Sequence, residues 1–227
     1  MKYDFLVFDL DGTLVDSIKD LTTAANFLRK DYGFEPLSAD IVQSYVGNGV
    51  RVIVEKAVPD TRGETIEQAV ERFNGYYEKC LLDETRPFDG IEEMLKDLQT
   101  VKKAILSNKP EKFSKMIVEG LGWSKYFTEI FGGDSVKGYR KPDPKVFFEL
   151  VKKAGANLSK SIMLGDGVND IKIAKAAGVK SLAVLYGFTD AKTLQELKPD
   201  YTVQKASEIK NIINNNDNGF LAGGAKR

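Results

Sequence analysis

Short, continuous apolar runs recur along the chain, each closed by Gly, Pro, Asp or Asn: Tyr3 to Asp9, Lys102 to Asn108, Glu129 to Asp134, Ser161 to Asp166, Ser181 to Gly187 and, more weakly, Tyr201 to Gln204. Runs of this length that are apolar throughout, rather than alternating, predict strands covered on both faces, as in a parallel sheet. Between them the apolar positions take a helical spacing, over Ile91 to Leu98, Pro110 to Leu121, Pro144 to Ala154, Asn169 to Ala177 and Ala191 to Leu197. Strand and helix in alternation predict an α/β fold with a Rossmann-like parallel sheet. One interval is too long for a single crossover helix, that from Asp9 to Lys102. Four helical stretches fit within it: one capped by Ser17 and Asp20 and running to Gly33, then Ser38 to Val46, Val50 to Ala57 and Thr65 to Leu82. The pattern therefore predicts a core of residues 1–15 and 86–210 with an inserted helical cap over 16–85, joined by two thin connections that make a hinge. Residues 211–227, rich in Asn and Gly, are expected to be a poorly ordered tail, native or left from cloning.

Composition narrows the chemistry. The chain has no histidine and one cysteine, Cys80. This removes Ser-His-Asp and Cys-His hydrolases, His-ligated zinc, phosphohistidine transfer and an internal disulfide. Acid/base chemistry near neutral pH must then fall to carboxylates, lysine, tyrosine or a metal-bound water. Lysine and arginine together number 33, as do aspartate and glutamate, so no net field draws nucleic acid or anionic lipid, and neither is expected as a partner. Acidic residues interrupt the first apolar run, and no stretch approaches the ~20 residues of a membrane span; a soluble, cytoplasmic protein is expected.

The predicted strand ends hold the candidate site, because open α/β sheets bind ligands beyond their carboxyl edges. The first run ends in Asp9-Leu-Asp11-Gly12-Thr13, and the fourth in Gly165-Asp166 with Asp170 at the next helix start. Carboxylates converging on one crevice need compensating charge, and an all-oxygen donor set that also faces phosphate suits Mg²⁺. Ser107 and Asn108, at the end of the second run and before Pro110, form a phosphate cradle at a helix start. Lys141, in Lys141-Pro-Asp-Pro144, is aimed by its stiff prolines toward the same crevice.

These motifs, in this order, resemble those of the haloacid dehalogenase superfamily of phosphatases: DLDGT at Asp9 to Thr13, LSN at Leu106 to Asn108, KPDP at Lys141 to Pro144 and GDGVND at Gly165 to Asp170. The resemblance covers about Met1 to Leu197. It implies that Asp9 is a nucleophile forming an aspartyl-phosphate, and that Asp11 protonates the leaving oxygen and then activates water. Ser107, Asn108 and Lys141 would bind phosphate. Mg²⁺ would be held by Asp9, the Asp11 backbone carbonyl and Asp166, with Asp170, Gly12 and Thr13 in support. In-line displacement brings an anionic nucleophile against an anionic phosphoryl group, so cationic neutralisation is required in any case.

A helical cap after the first motif is the arrangement of relatives that include phosphoglycolate phosphatases, pyrophosphatases and β-phosphoglucomutases. Tyr45 to Val50 (YVGNGV) resembles the specificity loop of phosphoglycolate phosphatases, and Gly47, Asn48 and Gly49 are its candidate residues. Physically, glycines around Asn48 at a helix start expose N–H groups suited to a small carboxylate. Arg51 could reach such a carboxylate or lie on the helix surface, and Pro87 to Gly90 resembles a loop that lines the pocket. The expected activity is Mg²⁺-dependent hydrolysis of a small phosphomonoester, foremost 2-phosphoglycolate; pyrophosphatase or β-phosphoglucomutase activity are alternatives. A receiver-like or degenerate phosphate-binding module is the non-enzymatic rival. Oligomeric state is left open.

Overall fold

In the computed structural model, which describes residues 2–214, β1 (Phe5–Phe8) is fully buried. After it come β2 (Val15–Asp16), α1 (Ile18–Asp31), α2 (Ala39–Gln43), α3 (Val50–Ala57), α4 (Ile66–Cys80) and β3 (Arg86–Pro87). The remainder alternates: α5 (Ile91–Asp97), β4 (Lys102–Leu106), α6 (Glu111–Gly120), β5 (Glu129–Phe131), α7 (Pro144–Lys153), β6 (Ser161–Gly165), α8 (Val168–Ala177), β7 (Lys180–Val184), α9 (Ala191–Glu196), β8 (Tyr201–Val203) and α10 (Ile209–Asn214). Six strands form one sheet in the order β5-β4-β1-β6-β7-β8. Every pairing in it is parallel. The predicted α/β fold with a Rossmann-like sheet is therefore the observed one.

Side-chain alternation explains why the strands read as solidly apolar. Leu6 and Phe8 of β1 pack with α1, α4, α5 and α6, whereas Phe5 and Val7 pack with α7 and α8 on the opposite face. Both faces are covered, so neither phase of the alternation can be polar. The central strand is also where the chain changes direction. From β1 it proceeds through β4 to the edge strand β5, then returns to β6 on the other side of β1. The crevice of a doubly wound sheet opens at such a reversal, and the residues following β1, β4 and β6 are Asp9, Ser107 and Asp166.

The helices of the long interval leave and rejoin the sheet through a two-stranded ribbon, with Val15 opposite Pro87 and Asp16 opposite Arg86. Leu21, Ala24, Ala25 and Leu28 of α1 are buried, as are Ala69, Phe73, Tyr77 and Cys80 of α4. Three sequence expectations change here. Ser17 and Asp20 do not form a capping box. The Ser17 hydroxyl instead donates to Asp11 Oδ1 at 2.5 Å, and buried Asp20 accepts from the backbone N–H groups of Glu84 and Thr85 and from the Thr85 hydroxyl. Tertiary partners thus outcompete the local cap and tie the start of α1 to the returning chain. The stretch Ser38 to Val46 shortens to the five residues of α2, because Tyr45 and Val46 close turns onto Val42 and Gln43. Residues 211–214 of the expected tail belong to α10, which buries Ile212 and Ile213; 215–227 lie outside the described residues. Cys80 is buried, with its thiol pushed up to about 11 chiefly by desolvation. Among the described residues, no helix is long and apolar enough to cross a membrane.

Candidate active site

The carboxyl edge of the sheet gathers Asp9, Asp166 and Asp170, each at least nine-tenths buried, with one carboxylate oxygen from each within 4.8 Å of the others. Lys141 stands among them, its ammonium 2.9 Å from Asp9 Oδ1 and 2.6 Å from Asp170 Oδ1. The motif KPDP places that lysine as expected, with Asp143 capping α7 through the N–H of Lys145 and Pro144 as its first residue. Burial opposes the charge on Lys141, but Asp170 and Asp9 outweigh it and hold the group above the ordinary lysine range. For the acids the balance runs the other way. Burial, reinforced by Asp9, pushes Asp166 up to about 7, and Asp170 is likewise raised by burial and then by Asp9. One ammonium does not neutralise three buried carboxylates. An all-carboxylate cluster with unspent negative charge fits a hard divalent cation.

Asp166 is oriented by a close lattice of partners. Thr13 Oγ1 donates to its Oδ1 at 2.7 Å and accepts from its N–H at 3.0 Å, and the N–H of Phe188 donates to Oδ2 at 2.8 Å. Gly12, at φ 81°, leaves the carboxylate room that any Cβ would take, since that atom would lie 2.2 Å from Asp166 Oδ2. This explains why Gly12 and Thr13 follow Asp11. Tyr186, whose hydroxyl donates to the Thr13 carbonyl at 3.0 Å, braces the same turn.

Asp11 stands outside that cluster of three acids. Its carboxylate accepts from Ser17 and from the ammonium of Lys109, which lies 2.9 Å from both oxygens. Lys109 was not among the sequence candidates, yet it is buried and charged. Burial works against its ammonium, and Asp11 outweighs that cost and raises it above the usual lysine range. A signal for it existed: a lysine just before α6 sits at the positive end of a helix, where a cation is disfavoured unless an anion faces it.

Ser107 and Asn108 follow β4 as expected. The Ser107 hydroxyl accepts from the N–H of Lys109 at 3.3 Å. The Asn108 side chain ties the sheet edge to two other segments: its Nδ2 donates to the carbonyls of Gly47 and Lys141 at 2.9 and 3.0 Å. Asn169 also bonds Gly47, at 3.0 Å, and Asn48 Oδ1, at 3.0 Å, while Gln43 donates to the Phe188 carbonyl. The Gly47 to Gly49 turn is thus pinned onto the sheet edge. Gly49 adopts φ 90° and approaches the Asn108 carbonyl so closely that a Cβ would sit 3.3 Å from it. Arg51 takes the surface alternative, pairing with Glu55 at 2.8 Å and with Glu67. Phe88 packs against Tyr186 and Phe188, and Pro87 to Gly90 lines an outer groove rather than the space beneath the helices.

Two spaces meet at Asp9 and Asp11. A polar cleft of about 450 Å³ holds Lys141, Asp166, Asn169, Asp170 and Asn48. The other is a cavity of about 40 Å³ beneath the inserted helices, lined by Leu21, Val50, Ile53, Phe73 and Phe113, and by Asn74, Tyr77, Ser107, Asn108 and Lys109. Gly47 lines both; Asn48 faces only the polar cleft.

A model of the haloacid dehalogenase-like hydrolase family matches residues 6–184. A phosphoglycolate phosphatase of Agrobacterium fabrum is 36% identical over 203 residues, covering 87% of this chain and 86% of its own. One from Aquifex aeolicus is 35% identical over 212 residues, covering 92% and 96%. The crystal structure of a predicted phosphoglycolate phosphatase from Haemophilus somnus superposes with a TM-score of 0.87 at 29% identity, over 93% of this chain and 98% of that one.

Proposed function

The chain belongs to the haloacid dehalogenase-like hydrolases and is a phosphoric monoester hydrolase, and on that premise we propose that it cleaves 2-phosphoglycolate to glycolate and phosphate. The observation that carries the reading is the pair of carboxylates at the junction of cleft and cavity. Asp9 and Asp11 line both spaces, but their partners differ: Lys141 and the Leu10 N–H for one, Ser17 and Lys109 for the other. Two carboxylates in unlike surroundings can divide nucleophile and proton-transfer roles.

In this reading Asp9 attacks phosphorus and becomes the aspartyl-phosphate. Asp11, on the cavity side, gives a proton to the departing oxygen and later takes one from water. Ser107 and Lys141 hold the phosphoryl oxygens, Lys141 as a point charge kept in place by Asp170. Asp9, Asp166 and the Asp11 backbone carbonyl would hold Mg²⁺, with Asp170 in support, and the cation would offset phosphoryl charge as it meets Asp9. Residues 16–85 act as the cap. Asn108, Asn169 and Gln43 latch it over the site and so exclude bulk water.

The small cavity favours a compact leaving group over a hexose, which disfavours the β-phosphoglucomutase alternative, and its one lining cation among the described residues, Lys109, is already paired with Asp11, which disfavours the second phosphate of pyrophosphate. The names of the relatives support the same substrate. Purified protein with and without Mg²⁺, assayed on 2-phosphoglycolate, pyrophosphate, glucose 1-phosphate and an aryl phosphate, tests the proposal. The expected result is Mg²⁺-dependent turnover with the highest kcat/KM on 2-phosphoglycolate; a higher value on pyrophosphate rejects that substrate.

A further inference from the structure

Three buried side-chain polar atoms have no hydrogen-bond partner among the described residues: Asn74 Oδ1, Tyr77 OH and Asn108 Oδ1. All three residues line the 40 Å³ cavity. Tyr77 is 1% exposed and Asn108 7%. A buried polar group left unpaired costs about 1–3 kcal/mol, so three around one space point to a polar occupant. The fourth polar group there is Lys109. Its ammonium carries three donors, of which Asp11 engages two through its pair of oxygens, and it lies 4.6 Å from the centroid of the Tyr77 ring, against the ring face.

From this convergence we infer that Lys109 and Tyr77, with Asn74, form a receptor for a carboxylate on the leaving group, and that the enzyme selects short phosphomonoesters bearing one. The inference rests on the phosphatase reading above and names the residues that choose its substrate. Lys109 supplies its remaining donor and Tyr77 its hydroxyl. The Asn74 amide, one helical turn before Tyr77 on α4, presents either end of its side chain by a half-turn. Asn108 Oδ1 is fixed by the two bonds made through Nδ2, leaving an acceptor for a hydroxyl proton.

Charge and size set the class. Among the described residues Lys109 is the one cation lining the cavity and shares its charge with Asp11, so a carboxylate meets a single charge-assisted donor while a second phosphate would meet no further cation, Leu21, Val50, Ile53, Phe73 and Phe113 supplying none. At about 40 Å³ the cavity is small beside the adjoining 450 Å³ cleft, and so suits a short group such as a carboxylate and its neighbouring carbon. The Gly47 to Gly49 turn has a further task. Its carbonyl and the Asn48 side chain are engaged by Asn108 and Asn169, which makes it a latch.

The test compares 2-phosphoglycolate with ethyl phosphate, which has the same chain length and no carboxylate, for the wild type, Lys109→Met, Lys109→Arg and Tyr77→Phe. The wild type is expected to prefer 2-phosphoglycolate. In Lys109→Met the ratio of kcat/KM values should fall about tenfold or more, mainly through KM; in Tyr77→Phe about threefold; and Lys109→Arg should restore part of the loss. Glycolate should inhibit the wild type competitively and Lys109→Met more weakly by a similar factor. Equal losses on both substrates would assign Lys109 to Asp11 alone and overturn the receptor, as would a wild type that prefers ethyl phosphate or pyrophosphate, or unaltered glycolate inhibition in both non-conservative variants. Should Lys109→Met not fold, the Tyr77→Phe ratio decides. If the wild type ignores 2-phosphoglycolate but favours another short phosphoester with a carboxylate, such as phospholactate, the substrate proposed above is wrong and the receptor stands.

Discussion

The two walls of the site are built on opposite principles. At the sheet edge Asp9, Lys141, Asp166 and Asp170 form a dense network in which every carboxylate has a named partner, held by glycines that let oxygen atoms approach the backbone. Across from it, α1, α3 and α4 present mostly apolar side chains, among which Tyr77 and Asn74 keep unpaired polar atoms. A satisfied network is rigid and suits chemistry common to every substrate. An unsatisfied, closely packed wall suits selection, because only a ligand with the right group repairs it.

Variants that strike one wall and spare the other sharpen this contrast. The largest effect is expected from Asp9→Asn, which should lower kcat on an aryl phosphate by about 10⁴-fold or more while the melting temperature stays close to that of the wild type. Turnover within tenfold of the wild type would remove Asp9 as the nucleophile. On the opposite wall Phe73→Ala should do the reverse in kind, destabilising the fold by about 3–5 kcal/mol in urea denaturation, since Phe73 is 1% exposed and its loss leaves a void.

An intermediate effect concerns the acidic cluster without its cation. Asp166 is raised to about 7 in the folded chain, above its unfolded value near 4, so the folded state holds the proton more tightly. Its relative stabilisation is present below about pH 4 and is lost as pH rises through about 7. In EDTA the melting temperature should therefore fall between pH 5.5 and pH 8, and Mg²⁺ should raise it more at pH 8 than at pH 5.5. A Mg²⁺ effect independent of pH would contradict the cluster as the binding site. The smallest effect is expected for Arg51→Ala: its partners are exposed, so stability should change by less than about 0.5 kcal/mol and kcat/KM should not move.

Legibility in the sequence followed the same divide. The parallel sheet was readable because strands buried on both faces must be apolar throughout, and the residues at their ends could be placed at one edge without coordinates. The helical stretches of the long interval were readable too, although α2 proved short and Ser17 and Asp20 were claimed by Asp11 and the returning chain. Lys109 and Tyr77 escaped. In sequence Lys109 is one lysine among many beside a proline, and Tyr77 extends the apolar stripe of α4; only their meeting over Asp11 gives either a role. Asn48 was marked by its glycine-flanked turn, but the bond its side chain accepts from Asn169, more than a hundred residues away, was not readable.

What the sequence determined by itself, then, was the fold and which groups gather at the edge of its sheet, because both depend on local regularities: the period of burial along a strand or helix, and motifs whose spacing is set by a strand end. The tertiary structure decided which polar atoms were left without partners, and how much room lay between Asp11 and α4. Those quantities depend on the packing of segments far apart in the chain. Asp11 and Tyr77 are separated in the chain by the strand Val15–Asp16 and the helices from Ile18 to Ala57, and no local pattern records the distance between them.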